Sequence, residues 1–402
     1  MTPQLLQEAE DLQSWLRATR RALHQMPGTG FDTLETRELV RRELTNMGLA
    51  PMDCGRAGLT ALVGGKRPGK VFLLRADMDA LPIREESGEP FAAQNGNMHA
   101  CGHDLHTAML LGAARLLKAH EDEICGTVKL MFQSAEEIFE GANDMIEAGV
   151  LKAPDVDAAL MLHVMAGMPF PAGTVIVSAP GASAPGADYF QICVQGQGCH
   201  GSMPNTGVDP LTAAAHILIA LQEIQARELA MSDRAVLTVG TLHGGTAPNV
   251  IPDTVELGGS IRTFDEQTRA QIKRRLTEIA QGVAGAFRAK AQVTFGSGCP
   301  ALVNDEALSR CCGTYAKELL GPQRAFSVAE LTAAGGGKTA GSEDFAYISQ
   351  QAPSIMLALA AGTPETGYPY PQHHPKARFD ESVLPVGSTV YAAMALRYLE
   401  EH

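Results

Sequence analysis

Three apolar runs in the first half of the chain end in the same way, and that shared ending is the strongest constraint on its fold. VFLLRADMD runs into Asp77 and Asp79, VKLMFQSAEE into Glu136 and Glu137, and ALMLHV into His163. Runs so continuously apolar belong to strands buried on both faces, as in a parallel sheet with helices on either side. One polar residue after such a strand is only the start of a loop. Two aspartates, two glutamates and a histidine delivered to one edge are a convergent site, because open α/β sheets bind ligands beyond the carboxyl ends of their strands.

Helical patterns alternate with these runs: 4–24, 36–49, 105–119 with Asp104 as the expected N-cap, and 142–148. The strands are expected at 71–74, 127–132 and 158–162. The grammar then changes. A strand at 189–194, a helix at 211–227, strands at 235–242 and 255–263, a helix at 266–286 and a strand at 292–295 give the order βαββαβ. That order is a ferredoxin-like unit. Pro180, Gly181, Pro185 and Gly186 punctuate its entry, and Gly296, Gly298 and Pro300 its exit. Beyond it the α/β pattern resumes, with helices near 306–319 and 386–399 and a strand at 355–360. The expected architecture is α/β: a discontinuous α/β/α sandwich domain, residues 1–183 and 297–402, with an α+β domain, 184–296, inserted in it. The 402 residues agree with two or three domains of roughly 100–200 residues each.

Composition excludes several functions. With 45 acidic against 32 basic side chains, the net charge of −13 argues against a nucleic-acid partner. No stretch approaches 18 apolar residues, so no transmembrane helix is expected. The opening MTPQLLQEAEDLQSW carries acids where a signal peptide carries bases, which gives a cytoplasmic expectation. The eight cysteines are scattered and form no C-x-x-C pair, the usage of buried thiols in a reducing compartment.

Cys101 is set apart by its neighbours. In MHACGHDLHTA, Cys101 and His103 flank Gly102, and a bend there turns a thiolate and an imidazole towards one ion. Zinc and its first-row neighbours accept such mixed donors. The plainer reading makes Cys101 a core residue and His103 a helix cap; the glutamate pair and histidines from other strand ends tip the balance towards metal. Adjacent carboxylates can divide the labour, one binding metal and the other moving the proton of an activated water. His373 and His374 stand in a late Pro-rich loop, YPYPQHHPKARF.

Three tempting motifs fail. Gly196, Gly198 and Gly201 fit G-x-G-x-x-G, but Pro204 and Pro210 prevent a helix from opening there. Gly337, Lys338 and Thr339 look like the end of a phosphate loop, yet position 332 is Thr. No G-x-S-x-G elbow exists.

RADMDALP, MHACGHDLHTA, the AEE of FQSAEE, LHV, CHGSMPNTGVDP, GTAPNVIPD, GSEDF and the HHP…FDE stretch together resemble the metal-dependent aminoacylase/carboxypeptidase family of amidohydrolases. The resemblance runs from about His24 to Gly387 and is nearest to the branch of hippurate hydrolases, N-acyl-amino-acid amidohydrolases and auxin-conjugate hydrolases. It implies two divalent ions (Mn, Zn, Co or Ni) held by Cys101, His103, Glu137, His163 and His373, with His374 as the fallback. Glu136 is then the general base, and Asp79 orients a ligand from behind. The inserted domain is implied to act as a lid and to dimerise, bringing His200 and Asn249 to the substrate, often in the partner's site. Arg262 is a candidate to grip the substrate carboxylate, or else a surface arginine. Asn205 stands where the family often has His, and Gly28 where a Glu is usual. The implied activity is hydrolysis of the amide bond of small N-acyl amino acids to a carboxylic acid and a free amino acid. The alternatives are a dipeptidase or carboxypeptidase of the same family and, from another class, a metal-binding protein with a dead site.

Overall fold

The computed structural model describes residues 2–328, 330 and 341–402. Gly337, Lys338 and Thr339 lie outside them. The chain divides into two compact units. Ala184–Leu302 forms one, together with 341–346, and the flanking segments form the other.

The flanking unit is built on an eight-stranded sheet. Its early strands are β1 (Met52–Cys54), β2 (Gly58–Gly64), β3 (Val71–Asp77), β4 (Thr127–Gln133), β5 (Ala158–Met165) and β6 (Val175–Val177); β15 (Ala325–Ser327) and β16 (Ser354–Ala360) come after the insertion. The order across the sheet is β1-β2-β4-β3-β5-β16-β6-β15. β3 lies parallel to both β4 and β5, and β16 is parallel to β5. All seven residues of β3 are buried although successive side chains point to opposite faces, so both faces are covered. The cover comes from α1 (Thr2–Asp11), α2 (Gln13–His24), α3 (Leu34–Asn46), α4 (His103–Ala119), α5 (Gly141–Glu147), α8 (Glu306–Leu320) and α9 (Leu384–Glu401). The core joins Phe72, Leu74, Leu130 and Phe132 of the sheet to Leu105 and Leu111 of α4 and Val390 and Leu396 of α9.

The chain leaves β3 through α4 to β4 on one side, then returns through α5 to β5 on the other. The order of strands reverses at β3, and the carboxyl ends of β3 and β5 open a crevice at that switch point.

Two helix expectations need correction. The opening helix is two, α1 and α2, because Leu12 N–H bonds back only three residues to Ala9 O and tightens one turn. Asp104 is not an N-cap. α4 starts at His103 behind Gly102, and the Asp104 carboxylate is taken instead by Arg20 at 2.7 Å and His24 at 2.8 Å.

Short strands β7 (Gly181–Ala184) and β14 (Leu302–Asn304) stand at the junctions with the inserted unit. That unit contains β8 (Gly186–Gln195), β9 (Cys199–His200), α6 (Pro210–Ala220), β10 (Ala235–Gly244), β11 (Val250–Ile251), β12 (Thr254–Thr263), α7 (Glu266–Ala286) and β13 (Lys290–Cys299). Its antiparallel sheet runs β10-β12-β8-β13, the ferredoxin-like order. Asp209 and Asp265 cap α6 and α7 by accepting backbone N–H bonds of the first turn. Thr268, Ile272, Leu276, Ala280 and Ala284 are the buried line of α7, four residues apart. α6 is shorter than the 211–227 pattern, and Ile224–Glu228 forms a separate π-type turn. The unit extends past position 296 because β13 stays paired with β8 as far as Cys299, opposite Ala187.

Candidate metal centre

β3 and β5 part after the pairing of Arg75 with Met161. The backbone groups of Leu162 and Val164, which would have continued the ladder, must find partners elsewhere. Leu162 N–H donates to the Tyr391 hydroxyl at 3.1 Å, and that hydroxyl donates to Arg75 O at 2.8 Å. Val164 N–H donates to His106 Nε2 at 2.8 Å, which leaves the proton of His106 on Nδ1, 2.6 Å from Asp77 Oδ1. Burial alone would raise the Asp77 pKa, but His103, His106 and Arg75 outweigh it and hold the carboxyl well below its ordinary range.

This parting of the strands aims the imidazoles. His163 Nδ1–H donates to Val164 O at 2.7 Å, and its Nε2 stands 3.6 Å from Cys101 Sγ. His103 Nδ1–H donates to Asp79 O at 2.8 Å. Its Nε2 is buried with no hydrogen-bond partner, 3.7 Å from Asp77 Oδ2 and 3.9 Å from Glu137 Oε1. Burial pushes His163 down to about 3 and His103 well below its usual value, so both rings are neutral and present a lone pair. Gly102 makes the turn between Cys101 and His103 with φ +91°, and a Cβ there would stand 2.4 Å from Val164 Cγ2. Only glycine fits.

Glu136 and Glu137 follow β4 through Ala135, a non-glycine residue at φ +64°. The Asp79 carboxylate accepts both of their backbone N–H groups, Oδ1 from Glu136 at 3.0 Å and Oδ2 from Glu137 at 3.1 Å. Glu136 is 5% exposed. His373 also has a left-handed backbone, φ +63°; its N–H donates to Ala100 O at 3.0 Å and its Nε2 lies 3.6 Å from Glu137 Oε1. His374 turns elsewhere, stacking on Tyr370 and accepting from Lys376 N–H.

Three ligand groups result, each with one donor atom per residue and all within 4.8 Å: Cys101, His103 and His163; Cys101, Glu137 and His373; His103, Glu136 and Glu137. The first two share Cys101, so the crevice offers two adjoining positions. Tetrahedral sites with bonds of about 2.0–2.3 Å place their donor atoms roughly 3.3–3.8 Å apart. The spacings here, the mixed S, N and O donors, and the orphaned Nε2 of His103 fit two divalent cations. Asp77, His103 and His106 form a fourth group, but both His106 nitrogens are already engaged. His106 and Asp77 therefore stand behind the other three groups, tied to each other and to the Val164 backbone. Position 106 lies one helical turn beyond His103, and that spacing in H-D-L-H is the signal that could have found it.

The remaining candidates belong to the inserted unit. Val250 pairs with His200, and Gly201 N–H donates to Asn249 O at 2.8 Å, so His200 and Asn249 are neighbours. Ser202 N–H donates to His200 Nδ1 at 3.2 Å, which leaves Nε2 protonated and exposed as a donor. Arg262 Nη1 donates to Ser342 Oγ at 2.6 Å and Nη2 to the Tyr189 hydroxyl at 3.3 Å.

The model of peptidase family M20/M25/M40 matches residues 73–397. An N-acetyl-L-cysteine deacetylase of Bacillus subtilis (strain 168) is 36% identical over 393 residues, covering 97% of this chain and 90% of its own. An IAA-amino acid hydrolase of Arabidopsis thaliana is also 36% identical over 393 residues, covering 96% and 86%. A solved structure of a dinuclear metal binding peptidase from the M20 family of Bacillus subtilis superposes with a TM-score of 0.79 at 32% identity, covering 97% of this chain and 99% of that one. With a two-position crevice of metal donors at the switch point of its sheet, the chain belongs to peptidase family M20/M25/M40 and is a metal-dependent amidohydrolase.

Proposed function

We propose that the substrate is an N-acyl amino acid, cleaved to a carboxylic acid and a free amino acid. Cys101, His103, Glu137, His163 and His373 hold the two cations, and Glu136 moves the proton. The observation that carries this reading is the split between the two glutamates: Asp79 fixes both backbones, yet only Glu137 shares a ligand group with Cys101 and His373. Two relatives matched over most of their length are named for removing acyl groups from amino acids, which favours that substrate class. The mixed donors suit Zn, Mn, Co or Ni.

When bound, two such cations polarise an acyl carbonyl and make water acidic near neutral pH. Glu136 accepts the proton of the attacking water and returns it to the amine nitrogen as the C–N bond breaks. His200 donates its Nε2–H to the oxygen that becomes negative, an interaction whose loss costs roughly 10²–10³ in rate. Asn249, its neighbour, and Arg262, on β12, contact the substrate.

The inserted unit would act as lid and dimer contact. α6 is apolar on nearly every side yet leaves Ile219 68% exposed, β10 is an edge strand with Val236 and Leu242 exposed, and Met203 and Val250 are exposed beside His200. Such surfaces suit a second copy of the chain. Eight free thiols suit a cytoplasmic enzyme.

The family's peptidase description supports a second reading, a dipeptidase or carboxypeptidase. A panel of acetyl, benzoyl and indole-acetyl amino acids beside free dipeptides, assayed with the protein loaded in turn with each metal, separates the two. Release of acetate, benzoate or indole-acetate supports the proposal; cleavage confined to peptides overturns it.

A further inference from the structure

We propose that Gln372 is a positioning residue for one of the two cation positions, holding His373 in place through the Val164 carbonyl. The inference rests on the ligand set given above. Gln372 Nε2 donates to Val164 O at 2.8 Å and lies 3.2 Å from Met165 Sδ. The same carbonyl accepts His163 Nδ1–H at 2.7 Å. One oxygen thus anchors a ligand of the first group directly and a ligand of the second through the neighbouring side chain. It is available because β3 and β5 part after Arg75 and Met161, leaving Val164 O without a strand partner on that side.

His373 needs such an anchor. Its backbone sits at φ +63°, where a residue with a Cβ is strained, and such conformations persist only when the surroundings over-determine them. Two ties do so. His373 N–H bonds to Ala100 O, next to Cys101, and the Gln372 side chain bonds to Val164, next to His163. The His373 ring itself is half exposed, so packing does not hold it. Partners of this kind behind metal ligands change metal affinity about 10–100-fold when removed.

The test is a metal titration of the full chain, wild type against Gln372→Met and Gln372→Glu, which keep the length of the side chain but lose the donor. Thermal midpoints are measured on the metal-free proteins. The wild type should bind two Mn²⁺ per chain. Each variant should hold one as tightly as the wild type and the other about 10–100-fold more weakly, with an unchanged metal-free midpoint. With both positions filled at high Mn²⁺, kcat should return towards the wild-type value at an unchanged KM. Two unchanged affinities in the variants overturn the role of Gln372. Two affinities that weaken together, with a lowered midpoint, also overturn it and make Gln372 structural. A wild type that binds fewer than two ions overturns the ligand set, and Gln372 falls with it.

Discussion

At the scale of single residues, neighbours in sequence have divergent environments. Glu136 and Glu137 share the Asp79 clamp and a ligand group with His103, but only Glu137 also groups with Cys101 and His373. Glu136→Gln should keep both ions and lose on the order of 10²–10⁴ in turnover, because an amide cannot take a proton from water. Glu137→Gln should lose metal as well. Metal analysis beside activity separates them, and equal metal loss in the two variants contradicts the division. Gly102 is as constrained as any ligand. Gly102→Ala places a Cβ against Val164 at positive φ and should cost about 2–4 kcal/mol of metal-free stability in denaturant titrations; an unchanged midpoint contradicts that constraint. Gly28, where the family usually has Glu, has a similar cause: a Cβ there would lie 1.9 Å from Asp32 O. The C-x-H spacing was legible because its bend is local. Gln372 was not, because its partner stands 208 residues away.

At the scale of elements, local signals are legible in the sequence and long-range ones are not. α7 begins and ends where its Asp265 cap and apolar spacing say. α4 begins earlier than its apolar pattern, since Asp104 is drawn to Arg20 and His24 of α2. β5 continues past the run 158–162 to Met165, carrying His163 inside the strand. The loop before α4 and the end of β5 hold buried neutral imidazoles, His99 pushed down to about 4 and His163 to about 3 by burial. Unfolded histidines titrate near ~6.5, so between those values the unfolded chain binds more protons. This part of the stability is complete above roughly pH 6.5 and is lost as pH falls towards 4. His24 acts in the opposite sense and above that window: burial lowers its pKa, but Asp104 and Glu85 outweigh burial and raise it. The metal-free protein should therefore lose on the order of 3 kcal/mol of stability for each of these two rings between about pH 6.5 and pH 4. Denaturant midpoints across that range check it, and a flat profile contradicts buried neutral rings.

At the scale of the whole molecule, both halves of the architecture were legible because each has its own period and order. Buried parallel strands read as continuous apolar runs, and the inserted unit as βαββαβ. What the periodicities do not carry is the parting of β3 from β5, which depends on Tyr391 and His106 reaching in from α9 and α4. If His200 serves the partner's site, a His200→Ala chain mixed with a Glu136→Gln chain should regain activity, since one site of each mixed dimer has both residues intact. No recovery after demonstrated subunit exchange contradicts a shared site. Metal dependence is tested by stripping the protein of metal and following hydrolysis of an N-acyl amino acid while divalent cation is returned in known amounts. The stripped protein should show no turnover, and activity should rise with uptake until two cations are bound per chain. Undiminished turnover in demonstrably metal-free protein would contradict that dependence.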